Sequence, residues 1–151
     1  MADTRFLVDS TMGTLAKWLR ILGFDTVYET RLDDQSLVRL ARAEGRLLLT
    51  RDRNLARRKG LAVLFIESES VDEQLVEVLS AVRSRDHAPF SRCPVCNAPL
   101  EQVPKYEAWG QVPPFVFQTQ QEFHLCPECN RFYWRGTHWQ KMVARVKELQ
   151  K

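Results

Sequence analysis

The chain has 151 residues, 44% of them hydrophobic and 27% charged, with a net charge of +3. That composition is ordinary for a globular protein, long enough for one domain or for a small domain with a mini-module. No stretch approaches the ~20 apolar residues of a membrane span, and Met1-Ala2-Asp3-Thr4-Arg5 lacks a signal-peptide layout, so the expectation is a soluble cytoplasmic protein with no membrane partner. The mild positive charge selects no partner, since residues 1–90 carry 14 charges of each sign and the excess falls in residues 91–151.

In chain order, Phe6-Leu7-Val8 is an apolar run that predicts a buried strand ending at Asp9. Met12, Leu15, Ala16, Leu19 and Leu22 follow at helical spacing, with Lys17 and Arg20 off that face and Gly23 as the stop. Val27-Tyr28 reads as a second strand. Asp34 opens a helix carrying Leu37, Val38, Leu40 and Ala41 on one side. Leu47-Leu48-Leu49-Thr50 is a third strand. Asp52 begins a short basic helix; Arg51, Arg53, Arg57, Arg58 and Lys59 fall within nine residues there, a run of which the ordinary reading is a solvated face. Residues 62–66 form a fourth strand, and Ser70 with Glu73 resembles a capping box before Leu75, Val76, Val78, Leu79 and Val82.

This alternation predicts an α/β unit with a parallel sheet covered on both faces, over residues 1–85. Residues 86–92 read as a linker. Residues 93–151 form a small zinc ribbon with strand-like pieces at Phe115–Phe117 and Phe132–Trp134. A final helix there has Trp139, Met142, Val143 and Val146 on one side.

The only four cysteines fall into two C-x-x-C knuckles, Cys93-Pro94-Val95-Cys96 and Cys126-Pro127-Glu128-Cys129. Two such turns supply the four sulfurs of a tetrahedral structural zinc site. Two disulfides are the competing reading; the tight spacing and the reducing setting argue against them. A ribbon this small cannot bury a core alone, so the metal contributes the folding free energy.

Three acids occupy one topological position. Asp9 follows the first strand, Asp52 follows the third, and Asp34 heads the helix between strands two and three. Ligands of an open parallel sheet gather at the carboxyl ends of its strands. Each Asp alone reads equally as a helix N-cap. Together they are an acidic cluster that a hard cation, Mg²⁺ or Mn²⁺, would make tolerable. Asp33 competes with Asp34 for the inward position; Asp34 is in register with the Leu37 face. Such a site suits phosphoryl transfer to water, with Lys17, Arg20, Arg51 and Arg53 available for a polyanion backbone. No Gly-rich phosphate loop and no G-x-S-x-G is present.

The stretch from Phe6 to Asp25, with Leu15-Ala16-Lys17-Trp18-Leu19-Arg20-Ile21-Leu22-Gly23 at its centre, resembles the opening of the Mut-seven C-terminal RNase domain, a PIN-like family. The resemblance extends through Asp33-Asp34, Leu48-Leu49-Thr50-Arg51-Asp52, both knuckles and Tyr133-Trp134-Arg135-Gly136-Thr137-His138-Trp139. It implies a PIN-like three-layer α/β domain fused to a zinc ribbon and acting as a metal-dependent endoribonuclease. It carries Asp9, Asp34 and Asp52 over as the catalytic acids, with Ser10 and Thr50 as hydroxyls that orient carboxylates or water. The family usually assembles about four acids; here Asp33 and Asp72 are the candidates for the fourth. RNA is the implied partner, with Arg135 and His138 as contacts from the ribbon. Its aromatic residues Trp109, Phe115, Phe117, Tyr133, Trp134 and Trp139 read either as a small core or as a base-stacking platform. The alternatives to a nuclease are a non-catalytic RNA-binding or ribosome-associated protein and a protein-interaction adaptor.

Overall fold

In the computed structural model, which describes residues 4–82 and 88–150, residues 4–82 alternate strand and helix as expected. The order is β1 (Phe6–Val8), α1 (Gly13–Ile21), β2 (Thr26–Tyr28), α2 (Asp34–Glu44), β3 (Leu47–Thr50), α3 (Arg53–Ala56), β4 (Val63–Phe65) and α4 (Val71–Val82). The strands pair in parallel in the order β2-β1-β3-β4. Phe6, Leu7 and Val8 are fully buried because β1 is central and covered on both faces. Side chains alternate between faces along a strand. Phe6, Val8 and Leu49 therefore face α1 and α4 through Leu15, Ala16, Leu19, Leu75 and Val78. Leu7 and Leu48 face α2 and α3 through Leu37, Val38, Ala41 and Leu55. Three layers result, and truncating one of these Leu side chains to Ala would cost about 2–5 kcal/mol.

The strand order reverses between β1 and β3: the chain leaves β1 for β2 on one side, then returns past β1 to β3. The crevice at the carboxyl ends of those two strands is the place where such sheets bind ligands.

The second part of the chain holds an antiparallel sheet, β5 (Glu101–Val103), β6 (Phe123–Cys126) and β7 (Arg131–Tyr133), with α5 (Pro114–Thr119) in the β5–β6 excursion. Its core is small: Phe123, Ala108 and Val112, with Phe117, Phe132 and Trp134 packed around them. The expected strand at Phe115–Phe117 is instead helical. Pro114 sits at the helix start, where a missing N–H costs nothing, and Phe117 N–H bonds back to Pro113 O at 3.0 Å. The expected strand at Phe132–Trp134 is present as β7, one residue earlier.

Of the expected linker, residues 86 and 87 lie outside the described residues. Residues 88–92 pack against the end of α1: Phe90 is buried, and its N–H donates to Ile21 O at 2.7 Å. Gly23 makes this possible, because a Cβ there would lie 2.3 Å from Ala88 O, and its φ of +102° disfavours any other residue. The last helix, α6 (Thr137–Leu149), follows the ribbon in sequence but packs on the first core through Met142 and Val146. Arg145 pairs with Asp72 of α4 at 2.9 Å. At the start of α4, the Glu73 N–H donates to Asp72 Oδ1, not to the Ser70 side chain expected from the capping-box pattern. No helix among the described residues is long and apolar enough to cross a membrane.

Candidate functional site

Asp9, Asp34 and Asp52 line one cavity of about 400 Å³ at the β1/β3 crevice, together with Ser10, Thr11, Arg51 and the apolar walls Leu32, Leu37 and Leu55. Asp9 is buried and held on both sides. Its Oδ1 accepts from Thr11 N–H at 2.9 Å and Thr11 Oγ1 at 2.6 Å, and its Oδ2 accepts from Thr50 Oγ1 at 2.6 Å. Thr50 Oγ1 in turn accepts from Asp52 N–H at 3.0 Å, so one fully buried hydroxyl fixes two of the three acids. Asp52 caps α3, its Oδ1 accepting from Asn54 and Leu55 N–H at 2.8 and 3.2 Å. Asp34 is the first residue of α2, exposed at the cavity mouth. None of the three carboxylates is in an ion pair among the described residues. They share the cavity without converging as a tight ligand cluster, which among the described residues the four cysteines alone do.

Neither candidate for a fourth acid lines this cavity. Asp33 is the α2 N-cap; the hydroxyl and N–H of Ser36 hold its carboxyl below the usual range. Asp72 lies on α4, where Arg145 and Ser70 do the same. Ser10, expected as an orienting hydroxyl, lines the cavity, and its carbonyl accepts from Tyr28 Oη at 2.8 Å. The hydroxyl that touches Asp9 from this loop is Thr11. Sequence reading passed over Thr11, although Asp followed two residues later by Thr is the pattern of an Asx turn.

The basic residues separate into different roles. Arg20 is a correction. It is 7% exposed, and its guanidinium donates to Thr26 O, Pro94 O and Val95 O, so it ties α1 to the first knuckle. With Nε and Nη1 engaged and little of the side chain exposed, Arg20 serves as a tie at the wall of the neighbouring trough and not as an open phosphate contact. Lys17 is exposed and lines a trough of about 560 Å³ beside the acidic cavity. Arg51 lines the acidic cavity and reaches Glu69 at 3.9 Å, while Arg53 lies over the Phe65 ring at 4.8 Å. Arg135 and His138 are exposed on the other side of α1; His138 stacks on Trp18 with centroids 6.4 Å apart.

The two knuckles are built alike. Each ends in an Asn at positive φ, Asn97 at 71° and Asn130 at 55°, a conformation Asn tolerates. Asn97 N–H and Asn130 N–H close the turns onto Cys93 O and Cys126 O at 2.9 and 2.7 Å. The four Sγ atoms lie within 4.8 Å of one another. Cys93–Cys129 is 3.9 Å and Cys96–Cys126 is 3.6 Å. Disulfides need about 2.05 Å. A tetrahedron with metal–sulfur bonds of about 2.3 Å has edges of about 3.8 Å. The four cysteines are therefore arranged to hold one metal ion, and an all-sulfur tetrahedral set suits zinc.

Burial opposes the Cys93 thiolate, but hydrogen bonds from Tyr133 Oη and from the N–H groups of Cys96 and Val95 outweigh it and bring the thiol down to about 7. Hydrogen bonding to Cys96, burial and the other sulfurs push the Cys129 thiol up to about 12. Asn97 also docks the knuckle on the sheet unit, accepting from Thr26 N–H at 3.0 Å and donating to Asp25 Oδ1 at 2.8 Å. Tyr133 and Asn97 are the supporting residues that reading by spacing alone missed.

A family model of the Mut7-C RNAse domain matches residues 4–146, spanning both the acidic cavity and the cysteine cluster. The chain belongs to the Mut7-C RNAse domain family. No curated protein and no solved structure matches it. The Mut7-C match bears out the expected family and suggests a nuclease-type function for the chain.

Proposed function

We propose that this Mut7-C protein is a metal-dependent ribonuclease that hydrolyses phosphodiester bonds of single-stranded RNA in the cavity of Asp9, Asp34 and Asp52. One observation carries the reading: three carboxylates from three separate segments line one cavity at the sheet's switch point, and none is neutralised by a basic side chain among the described residues. Oxygen donors around a water-accessible cavity suit Mg²⁺ or Mn²⁺, which keep several waters and need only one or two carboxylates. Such a cation, when bound, supplies an activated water and steadies charge on the leaving oxygen. Asp9 is the fixed donor, since Thr11 and Thr50 orient it: Thr11 occupies Oδ1 twice, and Oδ2, which accepts from Thr50, keeps a further lone pair. Asp52 keeps its Oδ2 after capping α3 with Oδ1. Arg51, which lines the cavity, and Lys17, which lines the neighbouring trough, are the cations that would contact phosphates in this reading. Zinc at the four cysteines holds the ribbon, in keeping with a reducing, cytoplasmic setting.

The test is cleavage of labelled single-stranded RNA with Mn²⁺ against Mn²⁺-free buffer, beside Asp9→Asn and Asp52→Asn. The expected result is Mn²⁺-dependent cleavage that both variants lose while keeping wild-type folding; cleavage retained in both contradicts the site. One observation favours a second reading, a non-catalytic RNA-binding protein: Asp52 already has a structural job as a cap, and Asp9 is already held by hydroxyls. That reading expects salt-sensitive RNA binding with no turnover.

A further inference from the structure

A second cavity, of about 330 Å³, lies between α1, through Trp18 and Ile21, and the ribbon, and shares no residue with the acidic one. It lies within the range of about 300–1,000 Å³ of small-molecule pockets. Three of the four tryptophans, Trp18, Trp134 and Trp139, line it with Phe90, Tyr133 and His138. Residue 18 and residues 133–139 are the two aromatic signature blocks of the sequence, and the fold brings them to one place. All three tryptophans and Tyr133 stay partly exposed and His138 is exposed, whereas a purely structural cluster would close over its rings.

No carboxylate lines it; Arg92 does, though paired with Asp25 at 3.8 Å, and the Arg135 guanidinium, in no ion pair among the described residues, sits 5.8 and 5.9 Å from the Phe90 and Trp139 ring centroids. A cage for a cationic ligand would have the opposite charge pattern; this one favours an aromatic group carried by an anion.

A trough with lining residues in common lies between the aromatic cavity and the acidic site. The trough that holds Lys17 shares Ser10 and Thr11 with the acidic cavity and Pro94 with the aromatic one. Lys17 is in no ion pair among the described residues.

We propose that the aromatic cavity is a nucleobase-stacking subsite for single-stranded RNA, with the strand running over α1 from the acidic cavity past Lys17. The proposal rests on RNA as the ligand of the acidic site and adds where a base beyond the cleaved bond is held. Base–aromatic stacking tolerates any base, so the subsite sets the register of the strand more than its sequence.

The test changes the RNA one base at a time. Asp52→Asn protein is titrated with labelled oligoribonucleotides of about ten residues, each carrying one abasic position, moved along the strand. One position, or two adjacent ones, is expected to cost about tenfold in affinity, and the intact oligonucleotide is expected to quench tryptophan fluorescence. His138→Ala, an exposed substitution, is expected to weaken the intact oligonucleotide and to flatten the abasic scan. A flat scan in the Asp52→Asn protein, an absence of quenching, or a His138→Ala variant with an unchanged scan overturns the subsite. Wild-type cleavage with a flat scan removes the subsite and leaves the nuclease reading standing; a position-specific penalty without any turnover does the reverse.

Discussion

Asp52 does two things that a single substitution separates. Its Oδ1 caps α3, and its place in the cavity makes it a candidate metal ligand. Asn caps a helix as well as Asp but brings no charge. Asp52→Asn is therefore expected to keep the thermal midpoint and to lower RNA cleavage by more than about 100-fold, above the 10–100-fold that outer-shell changes cost. Asp52→Ala is expected to lose the same activity and about 1 kcal/mol of stability besides. Thr50→Val removes the hydroxyl that joins Asp9 to the Asp52 backbone and is expected to cost about 1–3 kcal/mol, with Thr50→Ser restoring most of it, as measured by denaturant unfolding. The acids were legible from sequence because each follows an apolar strand or opens an amphipathic helix. Arg20 was not, because its acceptors, Pro94 O and Val95 O, come from a knuckle more than 70 residues away. A basic residue on a helix reads as solvated until the fold supplies such partners.

Among the elements, the four parallel strands and their helices were legible because fully buried strands read as continuous apolar runs and their helices carry clean stripes. The ribbon was less so. Glu101-Gln102-Val103 is a polar edge strand with no alternating pattern, and Phe115-Val116-Phe117 has strand composition inside a helix that Pro114 starts. The cysteine spacing, by contrast, fixed the metal cluster without any strand. With a small apolar cluster of Phe123, Ala108 and Val112 and with buried Cys93 and Cys126 among the metal ligands, the ribbon is expected to unfold when a strong chelator removes zinc. Loss of tryptophan fluorescence structure with the parallel sheet's circular dichroism retained would show it.

The docking of the first knuckle is pH-sensitive. Burial opposes ionisation of Asp25, but hydrogen bonds from Arg46 and Asn97 and the charges of Arg46 and Arg92 hold its carboxyl below the usual range. The unfolded chain then takes up the proton first. This contribution is complete above the ordinary Asp value of about 3.9, and it is lost as pH falls through the lower folded value. The stability difference between wild type and Asp25→Asn should be constant above about pH 5 and close below about pH 4.

For the whole molecule, the ribbon and α6 sit on the sheet unit through specific ties: Arg20 and Asn97 at the first knuckle, Phe90 at the end of α1, and Met142, Val146 and Arg145 on α6. None of these ties could be read from composition, since each joins residues distant in sequence. They leave the aromatic cavity and the Lys17 trough on α1, with the acidic crevice at the loop that precedes it. Lys17→Ala is accordingly expected to lower the salt dependence of RNA binding by about one unit of slope. Arg20→Met is expected to leave that slope unchanged while costing about 2–3 kcal/mol of stability.

The claim on which the functional account turns is that Asp9, Asp34 and Asp52 act together on one cation. Mn²⁺ binding to the zinc-loaded protein, followed by electron paramagnetic resonance, tests it most directly. One bound Mn²⁺ per chain is expected for wild type, with that binding lost or strongly weakened in Asp9→Asn, Asp34→Asn and Asp52→Asn alike. Equal Mn²⁺ binding by wild type and all three variants, or none by wild type in the presence or absence of RNA, would contradict it.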